Sequence, residues 1–241
     1  MTLDVLWHDI ECSGYDEDLP LWRALAADAG GPVLDVGAGT GRVSLDLAAR
    51  GVAVVALDTD ASLLEALERR AARLPVETVL ADARDFELGR RFPLVLIPMQ
   101  TLQLLGGPSG RAAFLRRALD HLEPGGLVAA ALADAMDCFD EEHDMLPPPD
   151  AYEAAGVRYA SHLTSVVEED GRAAIHRRRE IIGRASAGSQ SKPSCGSTGS
   201  QPTKSRPKRR SFLTEPCLSI PETEEYLGST VVLLRAPMAA L

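Results

Sequence analysis

Four cysteines in 241 residues, Cys12, Cys138, Cys195 and Cys217, form no close pair and no metal-ligand spacing. That excludes a disulfide framework and a cysteine-built metal site, and it fits reduced thiols in a cytoplasmic protein. No apolar run reaches the length a membrane-spanning helix needs. The opening residues Met1 to Asp4 have neither a basic region nor a long apolar stretch, so a soluble chain with no membrane partner is expected. Positive charge is also short: 25 basic residues stand against 35 acidic ones, a formal net charge of -10. Seven of the basic residues fall between Arg184 and Arg210, where there are no acids, which leaves the remainder more acidic still. Non-specific nucleic-acid binding depends on neutralising phosphates with Lys and Arg, so a nucleic acid is an unfavourable partner.

What is present begins at Val33-Leu34-Asp35-Val36-Gly37-Ala38-Gly39-Thr40-Gly41-Arg42-Val43, an apolar run that ends in an acid and opens into three alternating glycines. A strand turning through these glycines into a helix leaves bare backbone where a ligand can come close. A dinucleotide site requires Gly-x-Gly-x-x-Gly, and the position of its last glycine is Arg42. An acid two residues before the turn repels pyrophosphate and attracts a protonated amine.

This motif resembles the first motif of class I S-adenosylmethionine-dependent methyltransferases. The resemblance covers roughly residues 15 to 135 and implies a Rossmann-like α/β fold. Its sheet would be mostly parallel and seven-stranded, with helices on both faces. S-adenosylmethionine is the implied cofactor and S-adenosylhomocysteine its product. Asp35, Gly37, Ala38, Gly39 and Gly41 would then form the cofactor turn.

The rest of the core follows at the intervals of an alternating fold. Val52 to Leu57 is a β-rich run ending at Asp58, about twenty residues past the glycines, where an acid can accept both ribose hydroxyls. Thr59 lies beside it. Thr59-Asp60 caps a helix to about Arg73, with Leu63, Leu64 and Leu67 on one face. Pro75 to Leu80 reads as a third strand. In the resembled family the acid after it faces the adenine amino group, which assigns Asp82, with Ala83 beside the ring. Phe92 to Ile97 is a fourth strand buried on both faces, ending at Pro98-Met99-Gln100, where the family brings cofactor and acceptor together. Pro98 and Gln100 are therefore site candidates. The chain lacks the Asn-Pro-Pro-aromatic and Asp-Pro-Pro-aromatic patterns of enzymes that methylate amines of nucleic acids and glutamine side chains. A helix from Ser109 to about Leu122, broken by Pro124-Gly125-Gly126, leads to a fifth strand over Leu127 to Leu132.

A chain of this size can bury one core, so a single domain over 1–241 is expected. Within it, residues 1–30 form an N-terminal lid and helix, 31–135 the cofactor core, 157–182 a β-hairpin insertion after the fifth strand, and 218–236 a C-terminal strand. Glu168-Glu169-Asp170-Gly171 supplies the hairpin turn. Residues 184–213 are rich in Ser, Gly, Pro and Lys and can build no core. Two readings stand for this stretch: a disordered loop, or a segment translated out of frame between two compensating shifts, since back-translation read from the third base can give an acidic amphipathic helix.

Substrate recognition must come from outside the five-unit core. Tyr15 is a candidate lid residue near the ligand, whereas Trp22 is assigned to core packing. In the acidic loop from Asp134 to Asp150, His143 and Asp137 are candidate proton acceptors. No pattern for metal, nucleophile or phosphate chemistry appears, and methyl transfer needs none. The expected function is methylation of a small-molecule acceptor at O or N. The alternatives are a non-catalytic protein that binds S-adenosylmethionine or S-adenosylhomocysteine, and a NAD(P)-dependent oxidoreductase.

Overall fold

A computed structural model describes residues 2–133, 139–140, 148–169, 172–183, 211–221 and 228–239. The main sheet is α/β. Strands β1 (Val33–Val36), β2 (Val54–Asp58), β3 (Val76–Leu80), β4 (Phe92–Ile97) and β5 (Leu122–Ala133) are parallel, in the order β3-β2-β1-β4-β5. The run over β1 is buried at every position, as near-continuous apolar sequence requires of a strand covered on both faces.

Helices flank this sheet. α2 (Leu19–Ala29) and α3 (Arg42–Ala48) cover one face, where Trp22, Ala26, Val43 and Leu47 pack against Val33, Val54, Leu94 and Ala129. α4 (Ala61–Ala71) lies beside them, packing Leu64 and Leu67 on Ala56. α5 (Gly107–Asp120) covers the opposite face with Phe114 and Ala118 against Leu34, Val95 and Val128. Asp60 caps α4 as its sequence indicates, its carboxylate accepting from the Ser62 and Leu63 amides. Trp22 is fully buried in the core, also as expected.

Several boundaries move. The helix expected to reach Leu122 stops at Asp120, and Pro124-Gly125-Gly126 lies inside β5. The register passes from Phe92↔Leu122 to Leu94↔Leu127, so the extra residues leave the ladder as a bulge, with Gly125 at φ +76°. The C-terminal strand expected over 218–236 is two antiparallel strands, β11 (Leu218–Ile220) and β12 (Ser229–Arg235). β12 pairs with β5, and β10 (Leu213–Thr214) and β11 both pair with β12. The main sheet therefore has eight strands among the described residues rather than seven. Leu213, assigned to the low-complexity stretch, belongs to β10, and Phe212 packs on the core, because these apolar side chains find the edge beside β12. The reading of residues 184–210 lies outside the described residues.

Before the core, Leu3–Cys12 forms α1, N-capped by Thr2, whose side chain accepts from the Val5 amide. After β5 comes a second, antiparallel sheet of β6 (Phe139–Asp140), β7 (Asp150–Ala154), β8 (Val157–Glu169) and β9 (Arg172–Gly183). The expected hairpin is its β8–β9 pair. β7 is joined to β8 by Ala155-Gly156, both at positive φ, as a tight two-residue hairpin turn demands.

Candidate functional site

In an open α/β sheet, ligands bind where the strand order reverses, beyond the strands' C-terminal ends. Here the chain runs from β1 outward through β2 and β3, then returns to β4 on the other side of β1. The glycine turn leaves β1 at this point, and a short 3-10 helix, Thr101–Leu104, leaves β4 beside it. The two loops face each other. A Cβ on Gly37 would lie 2.6 Å from Thr101 Cγ2. Gly37, Gly39 and Gly41 all have positive φ, so the backbone bends as only glycine does cheaply. Gly37 is exposed to the crevice, whereas Ala38, Gly39 and Gly41 are buried. A Cβ on Gly41 would strike Leu67 of α4, so that glycine serves helix packing.

Two acids frame the turn. Asp35 is buried at the end of β1; Ser44 Oγ donates to its Oδ2 at 2.6 Å, and its Oδ1 has no hydrogen-bond partner. Burial pushes its carboxyl up to about 6, against the opposing effects of the Ser44 hydroxyl and the Arg42 charge. Asp58 ends β2, and its carboxylate accepts from the Gly39 amide at 2.8 Å and the Asp60 amide at 2.9 Å. Thr59 beside it is exposed. The sequence thus brings Asp35, the glycines and Asp58 to one place.

The other candidates are placed as follows. Asp82 follows β3, its carboxylate gripped by the Arg84 guanidinium at 2.5 Å and the Arg84 amide at 2.8 Å. Ala83 belongs to the apolar core. Pro98 is buried, Met99 adopts φ +55°, and Gln100 starts the 3-10 helix, its carbonyl accepting from the Gln103 amide. Tyr15 is buried against the Arg42 guanidinium, 5.2 Å from ring centre to Cζ, and its hydroxyl interacts with Ser229 at the start of β12. His143 and Asp137 lie outside the described residues. Among the described residues no cluster suited to a metal occurs, and no helix is long and apolar enough to cross a membrane.

Residues that sequence reasoning had not singled out for the site complete it. Arg42, used only to reject a dinucleotide, forms a buried bidentate pair with Asp18 at 2.5 and 2.7 Å and donates to the Tyr15 carbonyl at 2.8 Å. α1 lies over the glycine turn. Its Asp9 accepts from Thr40 Oγ1 at 2.7 Å and is held by Arg70 of α4, while His8 rests on Gly39. Glu11 ties α1 to the second sheet, accepting from Ser161 Oγ at 2.7 Å and from Arg179 at 2.7 and 2.9 Å. Trp7 packs edge-on to Tyr159. Leu3, Leu6, Trp7 and Ile10, spaced as one helical face behind the N-cap Thr2, are the signal that could have found α1; its charged residues find partners only in the assembled fold.

The model of a methyltransferase domain matches residues 33–126, the stretch from β1 into β5 that builds this crevice. Residues 33–126 carry a methyltransferase domain. A cypemycin N-terminal methyltransferase from a Streptomyces species is 38% identical over 108 residues, 45% of this chain and 43% of that protein. The match thus spans less than half of the curated relative. Among solved structures, an S-adenosylmethionine-dependent methyltransferase from Clostridium acetobutylicum aligns over 98% of each chain, with a TM-score of 0.59 and 11% identity. A sugar N-methyltransferase from a Streptoalloteichus species covers 76% of this chain and 78% of its own, with a TM-score of 0.56 and 17% identity. At these identities the two structures share the fold of the methyltransferase domain.

The crevice of the methyltransferase domain fits the cofactor. Gly37 of its turn is exposed to the crevice and carries no side chain, and Asp35 keeps a buried oxygen without a partner. Asp58 retains accepting capacity beyond its two amide bonds. Cys12 is no competing nucleophile: burial raises its thiol to about 11.

Proposed function

We propose that this protein transfers the methyl group of S-adenosylmethionine to an amine nitrogen of a small-molecule acceptor. The observation that carries the reading is the pair of acids, Asp35 and Asp58, set on either side of a glycine turn at the strand-order reversal. Asp58 would accept hydrogen bonds from the ribose hydroxyls, and Asp35 favours the positively charged amino-acid end. Asp82 and Ala83, beyond β3, would bound the adenine. When bound, the cofactor supplies an electrophilic methyl group on a sulfonium, so the protein's task is alignment and exclusion of water. α1 and the second sheet, tied by Glu11, form the cover for that task. The choice of nitrogen is supported by the names of the sugar N-methyltransferase and the cypemycin N-terminal methyltransferase.

The test is a titration of the folded protein with S-adenosylhomocysteine beside NAD and NADP, followed by mass spectrometry of amino sugars and peptide N-termini incubated with S-adenosylmethionine. Saturable binding of S-adenosylhomocysteine alone, with a mass gain of one methyl on an amine, is expected. Binding of NAD instead, or methylation restricted to hydroxyl groups, would overturn the reading.

A further inference from the structure

The turn at Gly39 is roofed by an imidazole. His8 projects from α1 so closely onto this residue that a Cβ added there would collide with its Nε2 and Cε1. Its other ring nitrogen, Nδ1, lies 3.3 Å from Thr40 Oγ1. The Thr40 hydroxyl has a single hydrogen and gives it to Asp9 Oδ1 at 2.7 Å. Asp9 is ionised: burial would raise its carboxyl, but hydrogen bonds from Arg70 and Thr40 outweigh that and hold it below the usual carboxylate range. Arg70 grips both carboxylate oxygens, at 2.9 and 2.5 Å.

Since Thr40 has no second hydrogen, the contact between His8 and Thr40 is donated by Nδ1–H. In the neutral ring the lone pair then sits on Nε2, the nitrogen against the glycine turn, which has no hydrogen-bond partner among the described residues. Burial favours this neutral ring. Asp58 at the end of β2 and Asp9 and Glu11 on α1 act against it, Arg70 of α4 acts with it, and Asp60 at the start of α4 also feels the ring. Two acceptors, Nε2 of His8 and the Asp58 carboxylate, therefore flank Gly39. Together they suit a ligand rich in hydroxyl or ammonium donors and disfavour one that presents phosphate oxygens.

We propose that His8 is a cofactor-binding residue whose Nε2 accepts a hydrogen bond from a donor group of the bound adenosyl amino acid. Thr40, Asp9 and Arg70 are positioning residues that fix its tautomer. The proposal rests on the reading of the crevice as an S-adenosylmethionine site.

The experiment is calorimetric titration of S-adenosylhomocysteine into the wild-type protein and into His8→Phe, His8→Ala and Thr40→Val, each checked for fold by circular dichroism. His8→Phe keeps a ring over Gly39 but has no lone pair. It and His8→Ala should each bind about tenfold more weakly, the worth of one hydrogen bond. Thr40→Val should lose less, because the ring remains but its tautomer is free. Wild-type affinity should also fall on acidification below pH 6.5, with a component that His8→Phe lacks. Wild-type affinity in His8→Phe would show that the ring only packs, and tighter binding in His8→Ala would show a plug the ligand displaces; either overturns the proposal. If the wild type itself fails to bind, the crevice reading falls and the proposal with it.

Discussion

Arg42 and Asp18 meet through two parallel hydrogen bonds of 2.5 and 2.7 Å, with their side chains 9% and 1% exposed. The pair joins the first residue of α3 to the N-cap of α2 and, through the Tyr15 carbonyl, fixes the approach to α2 beside the glycine turn. Removing one partner strands a buried charge. Asp18→Ala should therefore lower stability by about 3–5 kcal/mol, whereas the double replacement Arg42→Met with Asp18→Leu should recover most of the loss. Urea unfolding of the three proteins checks this, and a single variant within error of wild type would contradict it.

Asp35 should make the protein less stable as pH rises. Its folded pKa of about 6 lies above the ordinary 3.8, so the folded state holds more protons between those values. The penalty is absent below pH 3.8, grows as pH rises and is complete above 6, reaching about 3 kcal/mol on the scale of 1.36 kcal/mol per pKa unit. Asp35→Asn should accordingly melt higher than wild type at pH 7.5, with the gap shrinking as pH falls and closing only below pH 3.8, while binding S-adenosylhomocysteine more weakly. A gap independent of pH would rule out burial of this carboxylate as its source.

Asp58→Ala should weaken S-adenosylhomocysteine by about 1–3 kcal/mol through lost charge-assisted hydrogen bonds. Gly39→Val should abolish binding altogether, because a side chain there meets His8 in a backbone region with φ +55°. Circular dichroism should show both variants folded. Calorimetry showing normal affinity in either would remove that residue from the cofactor site.

Glu11 should couple the attachment of α1 to the second sheet to acidity. Burial would raise its carboxyl, but Arg179 and Ser161 more than offset this and hold it below 4.5. Its folded pKa is depressed, so its stabilising contribution is present above pH 4.5 and is lost as pH falls through the folded value. Glu11→Ala should speed amide hydrogen exchange in α1 at neutral pH and leave exchange in β1 and β4 unchanged. Equal exchange in α1 of variant and wild type would show that the helix is held by its apolar contacts alone.

The expectation of a single C-terminal strand shows where linear reading fails. Leu218 to Ile220 and Ser229 to Arg235 are each short β-patterned pieces; the first pairs antiparallel with the second, and the second with β5, a strand about a hundred residues earlier in the chain. The second sheet was partly legible. Asp170-Gly171 announced the β8–β9 hairpin, but β7 carries too little alternation to declare itself and is recognised by its pairing from Asp150↔Ser161 to Ala154↔Val157.

The sequence by itself determined the core of the crevice at the strand-order reversal. Glycines at alternate positions, an acid before them and an acid at the end of the next strand are local patterns, and strand–turn–helix geometry follows from backbone sterics and apolar periodicity within a few residues. Only the tertiary structure decided what surrounds it. Asp18 with Arg42, Glu11 with Arg179, and His8 over Gly39 join residues separated by 24, 168 and 31 positions. Such pairings leave no periodic trace. They form because a charged or polar group withdrawn from water must find a partner among whatever the packed helices and sheets bring within reach.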